Sequence, residues 1–195
     1  MSYAHPPQIT YTMNGGGSPQ QASAHMTDPD LQSELERLHT SSFGWALSCC
    51  RHRKDDAEDV LHTAYMKVLE GKARFDGRSS FRTWFFGVIR QTASEHRRRQ
   101  WLREVLLTRW IAGQPATRNQ VEPPDVSPDN RLLRKALGCL PRRQQQVLHL
   151  VFYQDLTVEE AASVLGVSLG TARTHFDRGK RRLRSLLAPE EFADD

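Results

Sequence analysis

The chain has 195 residues, of which 38% are hydrophobic, and its 27 Lys and Arg against 23 Asp and Glu give a formal net charge of +4. This length allows one domain or two small ones, each with a modest apolar core. No apolar run is long enough to cross a membrane and the N-terminus does not resemble a signal peptide, so we expect no membrane insertion and a cytoplasmic location.

Residues 1–30 are rich in Pro, Gly, Ser and Gln and contain no Lys or Arg. A segment of this composition has too little apolar surface to fold, which predicts a disordered N-terminal tail. Met26 directly precedes a sequence typical of the start of a folded domain. Translation from Met26 is therefore an alternative to translation from Met1.

Residues 31–112 show helical periodicity throughout, which predicts a first helical domain. One predicted helix begins near residue 55 and alternates small apolar residues with charged ones. A later helix is rich in aromatic residues, of which Phe85 and Phe86 are expected in the core, and it continues into a basic cluster. On the earlier helix, charged residues are expected to point away from the core: Asp56, Glu58, Asp59 and Lys67.

Residues 113–130 contain four prolines and almost no apolar side chain, which predicts a flexible linker. Helical periodicity resumes over residues 131–188, the predicted second domain, and residues 189–195 form a C-terminal tail. The pattern shows no strand alternation. We therefore predict an all-α protein with two small helical domains joined by a flexible, Pro-rich linker.

The stretch from Leu156 to Leu187 predicts a helix-turn-helix. Thr157 followed by Glu160 is the pattern of a capping box at the start of a helix. Gly166 stands where that helix must end, since glycine adopts the left-handed conformation without strain. Ser168 is a suitable N-cap for the second helix. One face of that helix is apolar and expected to be buried: Ala172, Phe176, Gly179, Leu183 and Leu186.

The other face of this second helix is polar and strongly basic, with six Lys and Arg against one Asp between Thr171 and Leu187. Such a helix suits the DNA major groove, where phosphates attract Lys and Arg and side chains read base edges. A solvated helix without a DNA partner is the alternative. Asp177 is expected to accept from a cytosine or to pair with Arg173 or Arg181. The candidate DNA-binding residues here are Ser168, Gly170, Thr171, Arg173, Thr174, Asp177, Arg178 and Arg181.

The three cysteines, Cys49, Cys50 and Cys139, lack the spacing of a metal site and are expected to be buried or half-buried thiols. The acidic residues near Asp56 have no partners that would complete a catalytic metal centre. We predict no metal, no cofactor and no enzymatic activity.

Two long stretches carry a family resemblance. Residues 55–99 read DDAEDVLHTAYMKVLEGKARFDGRSSFRTWFFGVIRQTASEHRRR, and residues 137–187 read LGCLPRRQQQVLHLVFYQDLTVEEAASVLGVSLGTARTHFDRGKRRLRSLL. In this order, separated by a Pro-rich linker, they resemble the bacterial extracytoplasmic-function (ECF) sigma factors. The resemblance implies a domain two over residues 31–112 and a domain four over residues 131–188, which together join core RNA polymerase and recognise a promoter.

The resemblance implies that the first domain recognises and opens the minus-ten element of promoter DNA. Opening DNA requires pockets for unstacked bases and positive charge along the strand. Gly77 and the following polar residues are suited to a turn that holds a base. Trp84 has two alternative roles, stacking on a base or packing in the core. The candidate residues for this role are Arg78, Ser79, Ser80, Arg82, Trp84, Arg90, His96, Arg97, Arg98 and Arg99.

The resemblance also implies contacts with proteins. The helix beginning near residue 55 would dock on the polymerase's largest subunit, with an anti-sigma factor as a further partner and the second domain reading the minus-thirty-five element. The alternative is a freestanding helix-turn-helix regulator, which would require a ligand pocket or dimer interface in the first domain. The chain departs from the usual family pattern at His62-Thr63, Gln91-Thr92, Gln145 and Asp177. The candidate polymerase-binding residues are Asp56, Glu58, Asp59 and His62.

Overall fold

The computed structural model describes residues 28–110 and 128–188, with side chains for residues 30–106 and 132–188. Across these ranges the chain forms eight α-helices and no strand, which confirms the predicted all-α class. The predicted N-terminal tail and linker fall largely outside the described residues. No helix in the described ranges is long and apolar enough to cross a membrane.

The helices fall into two compact units, divided near residue 120. Unit 1 contains α1 to α4 and unit 2 contains α5 to α8. The last helix of unit 1 is the longest, and the first helix of unit 2 begins inside the range predicted as linker. The bounds are α1 Asp28–Arg37, α2 His39–Cys49, α3 Lys54–Leu69, α4 Phe81–Trp110, α5 Pro128–Gly138, α6 Arg142–Phe152, α7 Val158–Leu165 and α8 Leu169–Leu187.

Unit 1 is built around the first half of α4, which packs against α2 and α3. Phe85 and Phe86 are fully buried, as predicted, together with Trp45 of α2. The indole Nε1 of Trp45 donates a hydrogen bond of 3.0 Å to the carbonyl oxygen of Phe86. This bond satisfies the one polar atom of a large apolar side chain, so the core holds three aromatic residues without an unpaired indole.

Unit 2 is built around α6, which packs against both helices of the helix-turn-helix. Its fully buried side chains include Val147 and Leu150. Gln145, which departs from the usual family residue, donates from Nε2 to the carbonyl oxygen of Leu140 at 2.8 Å. The side chain thereby closes the turn between α5 and α6, where a carbonyl at a helix end otherwise lacks a partner.

The apolar face of α8 is buried over only part of its length. Ala172 and Gly179 are buried and Phe176 and Leu183 are half-buried, but Leu186 is 44% exposed. The prediction that Leu186 is buried is wrong, because the helix extends beyond the body of the unit at its C-terminal end. The close approach between α6 and α8 lies at Gly179.

Gly179→Val is expected to destabilise unit 2 by about 1–3 kcal/mol, because it overpacks a filled contact. A Cβ atom at Gly179 would lie 3.1 Å from Cδ1 of Leu148 and 3.3 Å from Cβ of Gln144. Gly170→Val is the matched control, since a Cβ atom there meets nothing within 4 Å. Urea unfolding of the full chain, followed by circular dichroism, measures both. Equal stability of the two variants would contradict the close approach.

Candidate nucleic-acid interface

The two helices of the helix-turn-helix, α7 and α8, are capped as the sequence predicts. Thr157 Oγ1 accepts from the backbone N–H of Glu160 at 3.1 Å, and Glu160 Oε2 accepts from the backbone N–H of Thr157 at 2.9 Å. Gly166 ends α7 with a φ of +57°. Ser168 Oγ accepts from the backbone N–H of Thr171 at 3.2 Å and caps α8. These bonds fix where the second helix begins and therefore which residues form its first turn.

The polar face of α8 is exposed along the helix, as expected for a surface that enters a groove. Arg173 and Thr174 lie in its first half, and Arg178 lies one turn beyond Thr174. The hydroxyl of Thr174 donates to the carbonyl oxygen of Gly170 at 2.8 Å, which leaves its methyl group and oxygen lone pairs for other contacts. The structure brings these predicted residues together on one exposed face: Gly170, Thr171, Arg173, Thr174, Asp177, Arg178 and Arg181.

Glu159 of α7 belongs to this surface and was missed by the sequence analysis. Its Oε1 lies 2.9 Å from Nη2 of Arg173, and both side chains are exposed. Asp177 is paired with Lys180 at 3.4 Å, rather than with Arg173 or Arg181 as the sequence suggested. The 14-residue separation of Glu159 and Arg173 follows no helical period, so only the angle between α7 and α8 brings them together.

In unit 1, the predicted base-holding residues form the turn before α4. The backbone N–H of Arg78 donates to Oδ1 of Asp76 at 3.2 Å, and Gly77 has a φ of +72°. The side chain of Arg78 is 88% exposed. Ser80 Oγ accepts from the backbone N–H of Thr83 at 3.2 Å, so this hydroxyl helps to begin α4. Of the two predicted serines, Ser79 is half-buried and Ser80 is exposed.

The first half of α4 carries three further predicted residues, Arg82, Trp84 and Arg90, all half-buried. The guanidinium of Arg82 lies 5.4 Å from the centre of the Phe86 ring. The ring of Trp84 lies 5.3 Å from that of Phe81 and is part of an aromatic cluster, although the residue remains half-buried. Trp84 therefore packs at the edge of the core, and part of its side chain remains accessible to a ligand.

The basic cluster in the second half of α4 divides into two kinds of residue. Arg98 and Arg99 are exposed, as expected for residues that contact a nucleic-acid strand. Arg97 Nη1 donates to the carbonyl oxygen of Cys49 at 3.3 Å, and His96 Nε2 lies 3.2 Å from Oδ1 of Asp56. His96 and Arg97 are thus half-buried residues with contacts inside unit 1, a division that the sequence analysis did not foresee.

The acidic residues of α3 also divide. Glu58, Asp59 and His62 are exposed, as expected for a docking surface. The outward placement predicted for Asp56 is wrong, because its side chain is only 12% exposed and hydrogen-bonded to α4. The same correction applies to Lys67, whose Nζ lies 2.7 Å from Oε2 of Glu95. Lys67 is paired with the carboxylate of Glu95 on α4, whereas the charge of Asp56 is paired with Arg53 and one of its oxygens also accepts from Gln100 of α4.

A polar groove of about 250 Å³ runs between α3 and α4. Asp59 and His62 line it from α3, and Arg99 and Arg103 line it from α4. A candidate polymerase-binding surface and a candidate strand-binding surface therefore meet along one groove.

The cysteines match the prediction in part. Cys49 and Cys50 are buried, but Cys139 is exposed, because it follows the end of α5 at the surface. Among the described residues, no group of three or more His, Cys, Asp or Glu side chains is placed to hold a metal ion.

A capped helix-turn-helix with an exposed basic face, together with a second helical unit carrying basic and acidic surfaces, defines a DNA-binding protein with two functional units. Residues 35–103 match the family model of sigma-70 region 2, and residues 136–185 match that of sigma-70 region 4. The chain belongs to the ECF sigma factors of the sigma-70 family. It therefore binds core RNA polymerase and directs transcription initiation at specific promoters.

Individual relatives agree with this assignment. The chain is 32% identical over 149 residues to the ECF RNA polymerase sigma factor SigX of Bacillus subtilis, covering 73% of this chain and 77% of SigX. It is 28% identical over 142 residues to the ECF sigma factor RpoE of Cereibacter sphaeroides, covering 72% and 75%. The region 2 match accounts for unit 1 and favours this function over a freestanding regulator. Members of this family are initiation factors rather than enzymes.

A solved structure shares the fold. The sigma factor RpoE of Bartonella quintana, in complex with the anti-sigma factor NepR, superposes with a TM-score of 0.63 at 23% sequence identity. The alignment covers 83% of this chain and 99% of that one.

The Glu159–Arg173 pair has a measurable signature. The pKa of the Glu159 carboxyl lies below its ordinary value, because its own backbone N–H and then the Arg173 guanidinium donate to the charged form. Arg173→Ala is expected to raise this pKa part of the way back, since the backbone bond remains. Nuclear magnetic resonance titration of the Glu159 carboxyl measures the change. Arg178→Ala is the control and should leave it unchanged; an equal pKa in both variants would show that no pair forms in solution.

Proposed function

We propose a division of labour between the two units. Unit 1, over residues 31–112, docks on core polymerase and opens the minus-ten element, and unit 2, over residues 131–188, reads the minus-thirty-five element. The proposal rests chiefly on α8, whose caps fix its start and whose basic face is exposed while Ala172 and Gly179 are buried. A helix held in this way can enter a major groove without losing its own packing.

Arg173 is the leading candidate for reading a base in the minus-thirty-five element. It lies in the first half of α8, which enters the groove most deeply in this motif. Its pair with Glu159 is exposed on both sides, and exposed pairs add little to stability. An arginine that reads a guanine contributes about 1–3 kcal/mol of discrimination. Exchanging Glu159 for a base is therefore favourable, and the pair does not prevent Arg173 from reading DNA.

The exposed face of α3 supports polymerase docking. Glu58 and Asp59 are exposed and His62 follows on the same helix. Glu58 lies near Lys54, but at 3.7 Å and with both side chains exposed this pair is weak. Exposed acidic side chains complement a basic partner surface and speed its encounter. Docking through these three residues leaves the buried contacts of α3 intact.

The exposed basic residues of unit 1 support strand contact during opening. Arg98 and Arg99 on α4, and Arg78 in the turn before it, are exposed. Positive side chains along a groove hold the phosphates of a single strand, and a partly exposed aromatic ring such as that of Trp84 stacks on a base. The same helix thus combines the two elements that DNA opening requires.

We further infer an anti-sigma factor as a regulatory partner. The Bartonella RpoE structure that shares this fold contains the anti-sigma factor NepR. Unit 2 exposes several large apolar side chains, which are typical of surfaces that bind other proteins: Phe152, Tyr153, Leu186 and Leu187. Both observations support the inference for this chain.

Arg173→Ala is expected to relax sequence preference in the minus-thirty-five element, because it removes a base contact worth about 1–3 kcal/mol of discrimination. Arg178→Ala, the matched variant one turn along the same face, is expected to weaken all sequences alike and to reduce the salt dependence of binding, because it removes a phosphate contact. Holoenzyme binding to a set of single-base promoter variants at two salt concentrations measures both.

The two arginines control for each other in that experiment. If Arg173→Ala lowers the affinity for every promoter variant by the same factor, Arg173 does not read a base. If Arg178→Ala changes the order of preference among the variants, the phosphate assignment is wrong.

Glu58→Ala with Asp59→Ala is expected to weaken binding to core polymerase about 3- to 10-fold, as for two exposed interface charges contributing roughly 0.5 kcal/mol each or somewhat more. Competition for core enzyme against a labelled sigma factor measures the effect, and circular dichroism checks that helicity is unchanged. Glu36→Ala, which removes an exposed acidic side chain from α1, is the control. Equal competition by the unchanged chain, the double variant and the Glu36→Ala control would contradict a docking role of α3.

A further inference from the structure

The two halves of α4 are held in different ways. Between Phe81 and Ala93 the helix buries a series of apolar side chains, including Phe85 and Ile89. From residue 94 to residue 106, where the description of its side chains ends, no apolar side chain of α4 is buried. The exposed arginines that we propose contact the DNA strand, Arg98 and Arg99, lie in this second half. Their position therefore depends on polar contacts.

Polar contacts tie this second half to the rest of unit 1, three of them through Lys67, Cys49 and Asp56. Glu95 accepts from Lys67 at 2.7 Å, and Arg97 donates to the carbonyl oxygen of Cys49 at 3.3 Å. The third contact is the carboxylate of Asp56, which is more completely buried than Glu95, with 12% of its side chain exposed against 35%. The carboxylate of Asp56 also has hydrogen-bond partners on two different elements.

The carboxylate of Asp56 joins two elements. From its own side of the unit it accepts from Arg53 Nε at 2.8 Å and from Arg53 Nη2 at 2.9 Å. From α4 it accepts from Gln100 Nε2 at 2.8 Å, and His96 Nε2 lies 3.2 Å away. The His96 nitrogen also lies 2.8 Å from Gln100 Nε2, so it donates to Asp56 or accepts from Gln100 according to its tautomer.

The two α4 residues in this network define the rotation of the helix about its axis. His96 and Gln100 are four residues apart and therefore lie on one stripe. Arg98 is placed about 200° around the helix from His96, at about 100° per residue, and so points away from Asp56. Fixing the stripe against Asp56 fixes the direction in which Arg98 and its neighbour Arg99 project.

We propose that Asp56 is a positioning residue for DNA opening: it holds the second half of α4 in the rotation that presents Arg98 and Arg99 to the strand. The proposal rests on the proposed function of these arginines. It separates Asp56 from Asp59, which lies one turn along α3 and is exposed. A carboxylate that accepts several bonds inside the unit is not available to a polymerase surface unless those bonds break.

The test compares variants in holoenzyme assembled from core polymerase and the full chain. Asp56→Asn removes the charge at the centre of the network, and Gln100→Ala removes one of the two α4 partners of that charge. Asp59→Asn is the matched control on α3, and Arg98→Ala with Arg99→Ala removes the proposed strand contacts. Two activities are measured for each: competition for core polymerase, and the rate of open-complex formation on a closed promoter and on a pre-opened bubble template.

Asp56→Asn is expected to slow opening of the closed promoter about 10-fold, the size expected when a buried hydrogen bond to a charged group is lost. Gln100→Ala is expected to slow it in the same sense, and the double variant should be no slower than Asp56→Asn, because both changes break one network. Core competition should stay within about twofold for both. A pre-opened template should partly rescue both variants. Asp59→Asn should show the reverse pattern, with weaker competition for core polymerase and a smaller effect on opening.

Hydrogen exchange separates positioning from general destabilisation. Asp56→Asn is expected to increase amide exchange in residues 94–103 while leaving residues 81–93 protected, because the apolar half of α4 is held independently. If exchange rises throughout unit 1, Gln100→Ala is the milder variant to compare, since it removes one α4 partner of Asp56 and leaves the Arg53–Asp56 pair in place.

The outcomes distinguish this inference from the function on which it rests. If the Arg98 and Arg99 variant opens the closed promoter normally, the proposed strand contacts fail and the role of Asp56 fails with them. If that variant is defective but Asp56→Asn and Gln100→Ala both open the closed promoter normally, only the positioning role is overturned. Weak core binding with normal opening in Asp56→Asn would make Asp56 a docking residue instead.

Discussion

In the arrangement that we propose, the placement of the second half of α4 depends on the buried carboxylate of Asp56. It receives hydrogen bonds from Arg53 and from Gln100 of α4, with His96 close by. An ion taken out of water is costly unless its charge and lone pairs are satisfied, and this network satisfies them. A buried polar network has few alternative arrangements, so it specifies geometry more than it adds stability. That property suits a helix in which no apolar side chain is buried between residues 94 and 106.

Unit 2 holds its exposed basic side chains by a different means. The caps at Thr157 and Ser168 fix the ends of the two helices, and the contact at Gly179 brings α8 close against α6. Apolar packing holds α8 on one face and leaves the opposite face free for DNA. Both units thus present basic side chains from a helix. Burial of apolar atoms holds α8, and a buried charge network holds the second half of α4 in our proposal.

The exposed ion pairs have a lesser structural role and fit the requirements of binding. Arg173 with Glu159, and Asp177 with Lys180, are exposed pairs on or beside the reading face. Pairs of this kind contribute little to stability, so a nucleic acid can replace them without a large loss. They nevertheless keep long side chains near the positions from which they act. In the proposed complex, Glu159 also adds a negative charge beside the DNA major groove, and any promoter sequence bound there must accommodate it.

The sequence by itself determined the all-α class, the helix-turn-helix with its caps and the family, because these follow from local bonds, helical period and the order of motifs along one chain. Phe85 and Phe86 were assigned to the core for the same reason. Only the tertiary structure decided that Asp56 is buried, that Lys67 is half-buried against Glu95, that His96 and Arg97 contact their own unit, and that Glu159 meets Arg173. From sequence alone, a charged residue is predicted to be exposed unless its partner is known. These partners lie on other helices, 14 to 48 residues away. Their meeting depends on the packing angles between helices, which no local pattern in the sequence encodes.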